Sequence, residues 1–218
     1  MGMEGGFDTS KPAKPSGSSE TEVAGEVKSL VEKIDKLQIN NLDRVDLELT
    51  MLGFKIGTPI RVPVIKGQHN MQLTVGILQE LDMSFVKGER QELYVANSKD
   101  NAQRTLNAFA TGNIREQGKM SGYPESAVEN YAITMEHISR QGITEEEVVN
   151  LFNESYGEVT PEIRRENFMA FLSFALSKNK WVEEIETVKL WAEAIKKFDP
   201  SLYNKMVEFY HKRRVGMI

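Results

Sequence analysis

The chain has 218 residues, 32 acidic against 27 basic for a formal charge of -5, and no cysteine. The acid excess argues against broad attraction to nucleic acid or anionic lipid, and the missing thiols exclude disulfides, thiolate zinc sites and cysteine nucleophiles. A chain of this length buries about 70% of the surface it exposes when unfolded, so stability requires no metal or staple, and no cofactor follows from the residues.

Residues 1–19 are mostly Gly, Ser, Pro and Lys. They read as a disordered leader, because ordering them costs backbone entropy that no apolar burial offsets. No apolar run approaches the ~20 residues of a membrane span, and the start lacks a basic region followed by an apolar stretch, so the expected location is the cytoplasm. Met1-Gly2 opens a myristoylation pattern, but Gly6 stands where that pattern needs Ser or Thr. Over residues 20–38 the spacing of Val23, Val27, Leu30, Ile34 and Leu37 predicts an amphipathic helix with an apolar seam. A seam of only about two heptads offers either docking on its own domain or pairing with a second copy, so a homo-oligomer is one candidate partnership.

A second helix is expected at 43–52, closed by Gly53. Residues 60–65 read as an edge strand broken by Pro63. Leu73, Val75 and Ile77 alternate with Gln72, Thr74 and Gly76, the period of a half-buried strand. The apolar runs 83–86 and 93–96, separated by Lys87-Gly88-Glu89-Arg90, predict an antiparallel hairpin.

After Asn97 helical patterns dominate. Thr144 with Glu147 forms a capping-box pattern, and Thr160-Pro161 and Asp199-Pro200 each put a cap before a proline suited to the first helical position. Phe168, Phe171, Leu172, Ala175 and Leu176 fall on one helical stripe, and Trp181, Ile185, Val188, Ala192 and Ile195 on another; helical spacing assigns both to the core. Strands followed by helices predict an α+β fold over residues 43–218, with a small antiparallel sheet of three or four strands packed with a larger, mostly C-terminal set of helices.

The functional signal concentrates in residues 117–131, where a turn passes directly into an amphipathic helix. Gly122 supplies a bend, Pro124 starts the helix, and Glu125 complements its dipole. Upstream, Gly112 to Lys119 approaches a phosphate loop, but five residues separate its glycines and Met120 replaces the metal-binding hydroxyl, so it is no Walker loop. Arg115 and Lys119 are placed to hold an anion against the helix start, with solvated surface charge as the plainer reading. The expected binding set is Arg115, Lys119, Gly122, Tyr123, Glu129 and Tyr131, with Glu116 and Glu125 as the candidate acid–base groups if burial raises a glutamate. Structural roles account for the same residues: Tyr123 packing across the helix start and Glu125 serving the dipole.

Glu208 and His211 form a single Glu-x-x-His pair, where a di-metal bundle needs two, and His69 and His137 lie outside any such spacing; no metal site is expected. The run His211-Lys212-Arg213-Arg214 suits either an acidic partner or simple solvation of a helix end. No G-x-S-x-G, H-E-x-x-H or dinucleotide-binding glycine pattern occurs. Two readings follow. One is a non-catalytic binding or assembly protein. The other is a small-molecule enzyme with an anion-holding pocket between the sheet and the helix mouth, with Arg115 as anion holder and Glu116 or Glu125 as general base.

The segment Ser121-Gly122-Tyr123-Pro124-Glu125-Ser126-Ala127-Val128-Glu129 resembles the G-Y-P-x-C-C-V signature of a prokaryotic, largely archaeal family catalogued as domain of unknown function 483. The similarity runs from about Asp43 to the C-terminus and takes in the strand Leu93-Tyr94-Val95-Ala96 and residues 174–203. That family has no established activity to carry over. Ser126 and Ala127 stand where its signature has paired cysteines, and further family cysteines fall near Leu176-Ser177-Lys178-Asn179. The resemblance therefore implies a shared fold, with any thiol chemistry of the relatives lost.

Overall fold

A computed structural model describes residues 20–62, 64–65, 68–89, 91–141 and 144–215; the leader at 1–19, Pro63 and Arg90 lie outside the described residues. Helix α1 (Glu20–Asp35) carries the apolar seam. Ile34 and Leu37 are buried, and Val27, Leu30 and Val31 pack part-buried against the same core, while the Val23 side chain is outside the described residues. Ile34 and Leu37 of the seam are thus held in the protein's own core, while Val27 and Leu30 stay partly exposed.

Helix α2 (Asn41–Met51) starts where the Asn40 side chain accepts from the Asp43 amide at 2.9 Å. Strand β1 (Gly57–Arg61) follows, then a two-stranded ribbon of β2 (Val64–Ile65) and β3 (Gln68–His69). Residues 71–80 are helix α3 (Met71–Glu80), not a strand. Five alternating residues cannot separate the two periods, and the deciding signals lie outside them. Asn70 caps the helix by accepting from Leu73 N, and burial recurs at Thr74, Ile77, Leu78 and Leu81, a helical stripe that continues past the apparent alternation.

The hairpin forms as expected from β4 (Ser84–Lys87) and β5 (Glu92–Ala96), and the sheet order is β1-β5-β4, antiparallel throughout. Central β5 is buried from Leu93 to Ala96, which explains its unbroken apolar run. Pro59 sits on edge strand β1, where a missing amide is tolerated. Leu93 and Val95 join Ile60 and the α1–α3 side chains in one core, whereas Tyr94 meets Phe109 of α4 (Lys99–Ala110) with ring centroids 5.9 Å apart.

Helices α5 (Ile114–Met120), α6 (Glu125–Gln141), α7 (Glu145–Ser155), α8 (Trp181–Phe198) and α9 (Pro200–Val215) complete the chain. The capping box is made in full: Thr144 Oγ1 accepts from Glu147 N at 3.3 Å and Glu147 Oε2 accepts from Thr144 N at 2.8 Å. Asp199 caps α9 through Leu202 N at 3.0 Å. Thr160-Pro161 opens only a short 3-10 turn, Ile163–Arg165. The stripe expected from Phe168 to Leu176 is not an α-helix either. A 3-10 turn (Asn167–Phe171) gives way to extended chain, because Leu176 O accepts from Gly157, Lys178 N bonds Ser155 O, and Ser177 bridges Tyr156. These external partners replace the bonds a helix would make internally. The second stripe holds: Ile185, Val188, Ala192 and Ile195 are buried on α8.

Helices α2, α8 and α9 are joined by a buried ionic cluster. Arg44 bonds Glu48 at 3.0 Å and also Asp199 and Asp35. Glu48 is fully buried and its Oε2 has no hydrogen-bond partner. Burial, helped by the adjacent Asp199 carboxylate and opposed by Arg44, pushes Glu48 up to about 8. Its folded value exceeds its unfolded value of about 4.5, so the folded state holds the extra proton, and this group's contribution to stability falls as pH rises from about 4.5 through about 8. In urea titrations between about pH 5 and about pH 9, the wild type should lose a few kcal/mol that Glu48→Gln does not. Parallel pH profiles for the two proteins would refute a buried, protonated Glu48.

Candidate functional site

The bend at Gly122 is the C-terminal cap of α5. Tyr123 N bonds Gly118 O at 3.0 Å and Gly122 N bonds Lys119 O at 3.1 Å, the paired bonds of a Schellman motif, with Gly122 at φ 68°. Pro124 cannot extend α5, and its carbonyl instead accepts from Val128 N at 3.0 Å to begin α6. Gly122 also rests on the loop after α2. A Cβ there would lie 2.2 Å from Phe54 O, while Ile56 N bonds Met120 O at 2.9 Å beside it. A second close contact sets the crossing of α5 and α6, since a Cβ on Gly118 would meet Val128 Cγ2 at 2.4 Å.

Tyr123 packs onto Phe174 and Trp191, with centroids 5.2 and 6.1 Å away. Beneath it lies the buried Lys55, whose Nζ is 5.3 Å from the Tyr123 centroid, 4.8 Å from that of Trp191 and 2.5 Å from Asp46 Oδ1. Tyr123 therefore both closes the core and turns one edge outward.

Beside this bend opens a cleft of about 530 Å³. Tyr123 and Tyr131 line it, together with Phe109, Ile114, Val128, Leu172 and Phe174; Gln117, Ser121 and Ser173 supply polar groups. Among the described residues, no Asp, Glu, Lys, Arg or His lines it. Two other hollows, of about 690 and 770 Å³, share Leu42, Asp46, Met206 and Phe209 and carry charged residues on their walls, including Asp43, Arg61 and Arg213.

The charged candidates lie outside the cleft. Arg115 bonds both oxygens of Glu129, at 3.0 and 2.8 Å, and also Glu136, so it ties α5 to α6. The Glu129 and Glu136 carboxylates hold the guanidinium above its ordinary range, and Arg115 holds Glu129 below the usual carboxylate range. Lys119 pairs with Glu116 at 3.1 Å, and Arg104 approaches Glu116 at 3.8 Å. Glu125 is exposed in the first turn of α6. Of the expected set, only Gly122, Tyr123 and Tyr131 belong to the bend and its cleft; Arg115, Lys119, Glu116, Glu125 and Glu129 form an outer surface of charges.

The buried carboxylate nearest this region is Glu184. Its Oε1 accepts from Ser126 Oγ and Ser177 Oγ, each at 2.5 Å, and Oε2 accepts from Ser177 N at 2.7 Å. One carboxylate thus fastens α6, the 172–180 segment and α8 together. Ser126 and Ser177 come from the two segments at or near which the family resemblance puts cysteines. Glu208 pairs with Lys212 at 2.5 Å, and His211 Nε2 meets Asn167 Oδ1 at 2.9 Å; the Arg214 side chain lies outside the described residues.

Cleft residues beyond the expected set include Phe109, Gln117, Ser173 and Phe174. Phe174 had one signal, an aromatic between two apolar stripe positions but off the stripe itself. Phe109 and Ser173 have none, because their proximity is a product of the fold.

Gly122→Ala should lower stability by at least about 2 kcal/mol, through left-handed backbone strain together with the clash on Phe54. Gly112→Ala, at φ 65° with nothing within 4 Å of its Cβ, should cost only about 1 kcal/mol in the same thermal melts. Equal losses would remove the Phe54 contact as the special constraint. Comparison with known proteins finds no matching family model, no curated relative and no similar solved structure, so the family resemblance rests on the sequence alone.

Proposed function

We propose that this protein is a non-catalytic binding protein that holds a small, mainly apolar molecule in the cleft beside the Gly122 bend. One observation carries the reading: a hollow of about 530 Å³, the size of a ligand pocket, has aromatic and aliphatic walls with a few polar groups. Catalysis by the candidate glutamates is not favoured. Glu116 and Glu125 do not line the hollow, and Arg115, the candidate anion holder, is engaged by Glu129 and Glu136. The buried carboxylates Glu48, Glu184 and Asp199 do not line the cleft and serve contacts between chain segments. No helix among the described residues is long and apolar enough to cross a membrane; a cytoplasmic setting belongs to the same proposal. So does kinship with the family that shares the Gly-Tyr-Pro bend, on the footing of a common scaffold.

Ser173 is exposed on the cleft rim, so Ser173→Trp should fill the hollow without disturbing the core. A ligand-detected NMR screen of a fragment library at about millimolar concentration should give hits on the wild type that this variant loses at unchanged melting temperature. An absence of hits, or hits indifferent to Ser173→Trp, would refute the cleft as the binding site.

A further inference from the structure

Resting on that reading of the cleft, the walls narrow the ligand's chemistry. Four aromatic rings line the hollow: Phe109, Tyr123, Tyr131 and Phe174. Three are braced from behind. Tyr123 and Phe174 lean on each other with centroids 5.2 Å apart, Phe174 is also edge-on to Trp191 at 5.8 Å, and Phe109 is backed by Tyr94 at 5.9 Å. Rings held this way are pre-organised, so a flat guest gains contact without the cost of ordering them.

Charge is kept out of the hollow. The neighbouring cations are committed elsewhere, Lys55 to Asp46 and Arg115 to Glu129 and Glu136, and no charged side chain lines the cleft among the described residues. A charged guest would shed water there without meeting a counter-ion, which is costly. A hydrogen-bonding guest is treated differently. Gln117 donates through Nε2 to Ala108 O at 3.1 Å, which fixes the amide and leaves Oε1 as an acceptor, with the Ser121 hydroxyl on the same wall.

We infer that the cleft takes an uncharged, planar aromatic or heteroaromatic ring system bearing a hydrogen-bond donor, its ring held by the aromatic walls and its donor by Gln117. Isothermal titration of the full chain with matched probes tests this. Indole should bind at least ~10-fold more tightly than indole-3-carboxylate, phenol several-fold more tightly than cyclohexanol, and indole several-fold more tightly than N-methylindole. Gln117→Leu should abolish the difference between indole and N-methylindole while retaining indole binding. Carboxylate binding equal to that of indole, or cyclohexanol equal to phenol, overturns the ligand class and leaves the cleft as a site. Probe binding that persists in Ser173→Trp places the ligand elsewhere and overturns both readings. Failure of every probe overturns the ligand class alone if the fragment screen yields cleft-dependent hits of other chemistry, and both readings if it yields none.

Discussion

The contact between Gly122 and the carbonyl of Phe54 sets the geometry of everything around the cleft. A helix can end on a residue in the left-handed region, and several positions in this chain do so, yet among the described residues only at Gly122 does the absence of a side chain there also let two backbones touch. That touch, with the Ile56–Met120 hydrogen bond beside it, fastens the end of α5 to the loop between α2 and β1. Once α5 is fixed, Pro124 and the Gly118–Val128 contact decide how α6 departs. The cleft is the space left between α5, this departing helix, Phe109 of α4 and the extended chain at 172–175. Its shape therefore follows from backbone constraints more than from its own lining.

Charge distribution follows a matching logic. The buried ionisable groups are gathered where helices must be held in register: Arg44 with Glu48 and Asp199, and Glu184 with its two serines. Such clusters add little net stability over apolar packing, but breaking one partner away is expensive, so they suit positions that must not slide. The ions of α5 and α6 are instead paired on the surface, where screening makes each pair weak. Between these two layers the cleft is left with rings, hydroxyls and an amide. In an environment of that kind, a charged group entering from water would lose solvation with no counter-ion to replace it.

Much of the architecture was legible in the chain. Caps and prolines located the starts of α6, α7 and α9, the polar break at 87–90 located the hairpin, and helical spacing located α8, because each of those signals is local and physically sufficient. Residues 71–80 failed because the alternation of Leu73, Val75 and Ile77 was too short to exclude a helix, and the 168–176 stripe failed as an α-helix where Gly157, Glu184 and Ser155 take up the backbone at residues 176–178, just at its end. The bend and the cleft beside it were legible in Gly122, Tyr123 and Tyr131. Its chemistry was not. A charged residue near a helix mouth looks the same in sequence whether it faces a hollow or a neighbouring carboxylate, and Arg115 is settled by Glu129 and Glu136, which lie on the next helix.

Tyr123 has one side on Lys55 and Trp191 and the other on the hollow. Trp191 is fully buried, with the Lys55 ammonium 4.8 Å from its ring centroid. The only other indole in the chain, Trp181, stands over Gly157 and packs against a cluster that Leu172 and Phe174 also join. The protein thus carries a buried indole one ring's depth behind the hollow, with Tyr123 between the two.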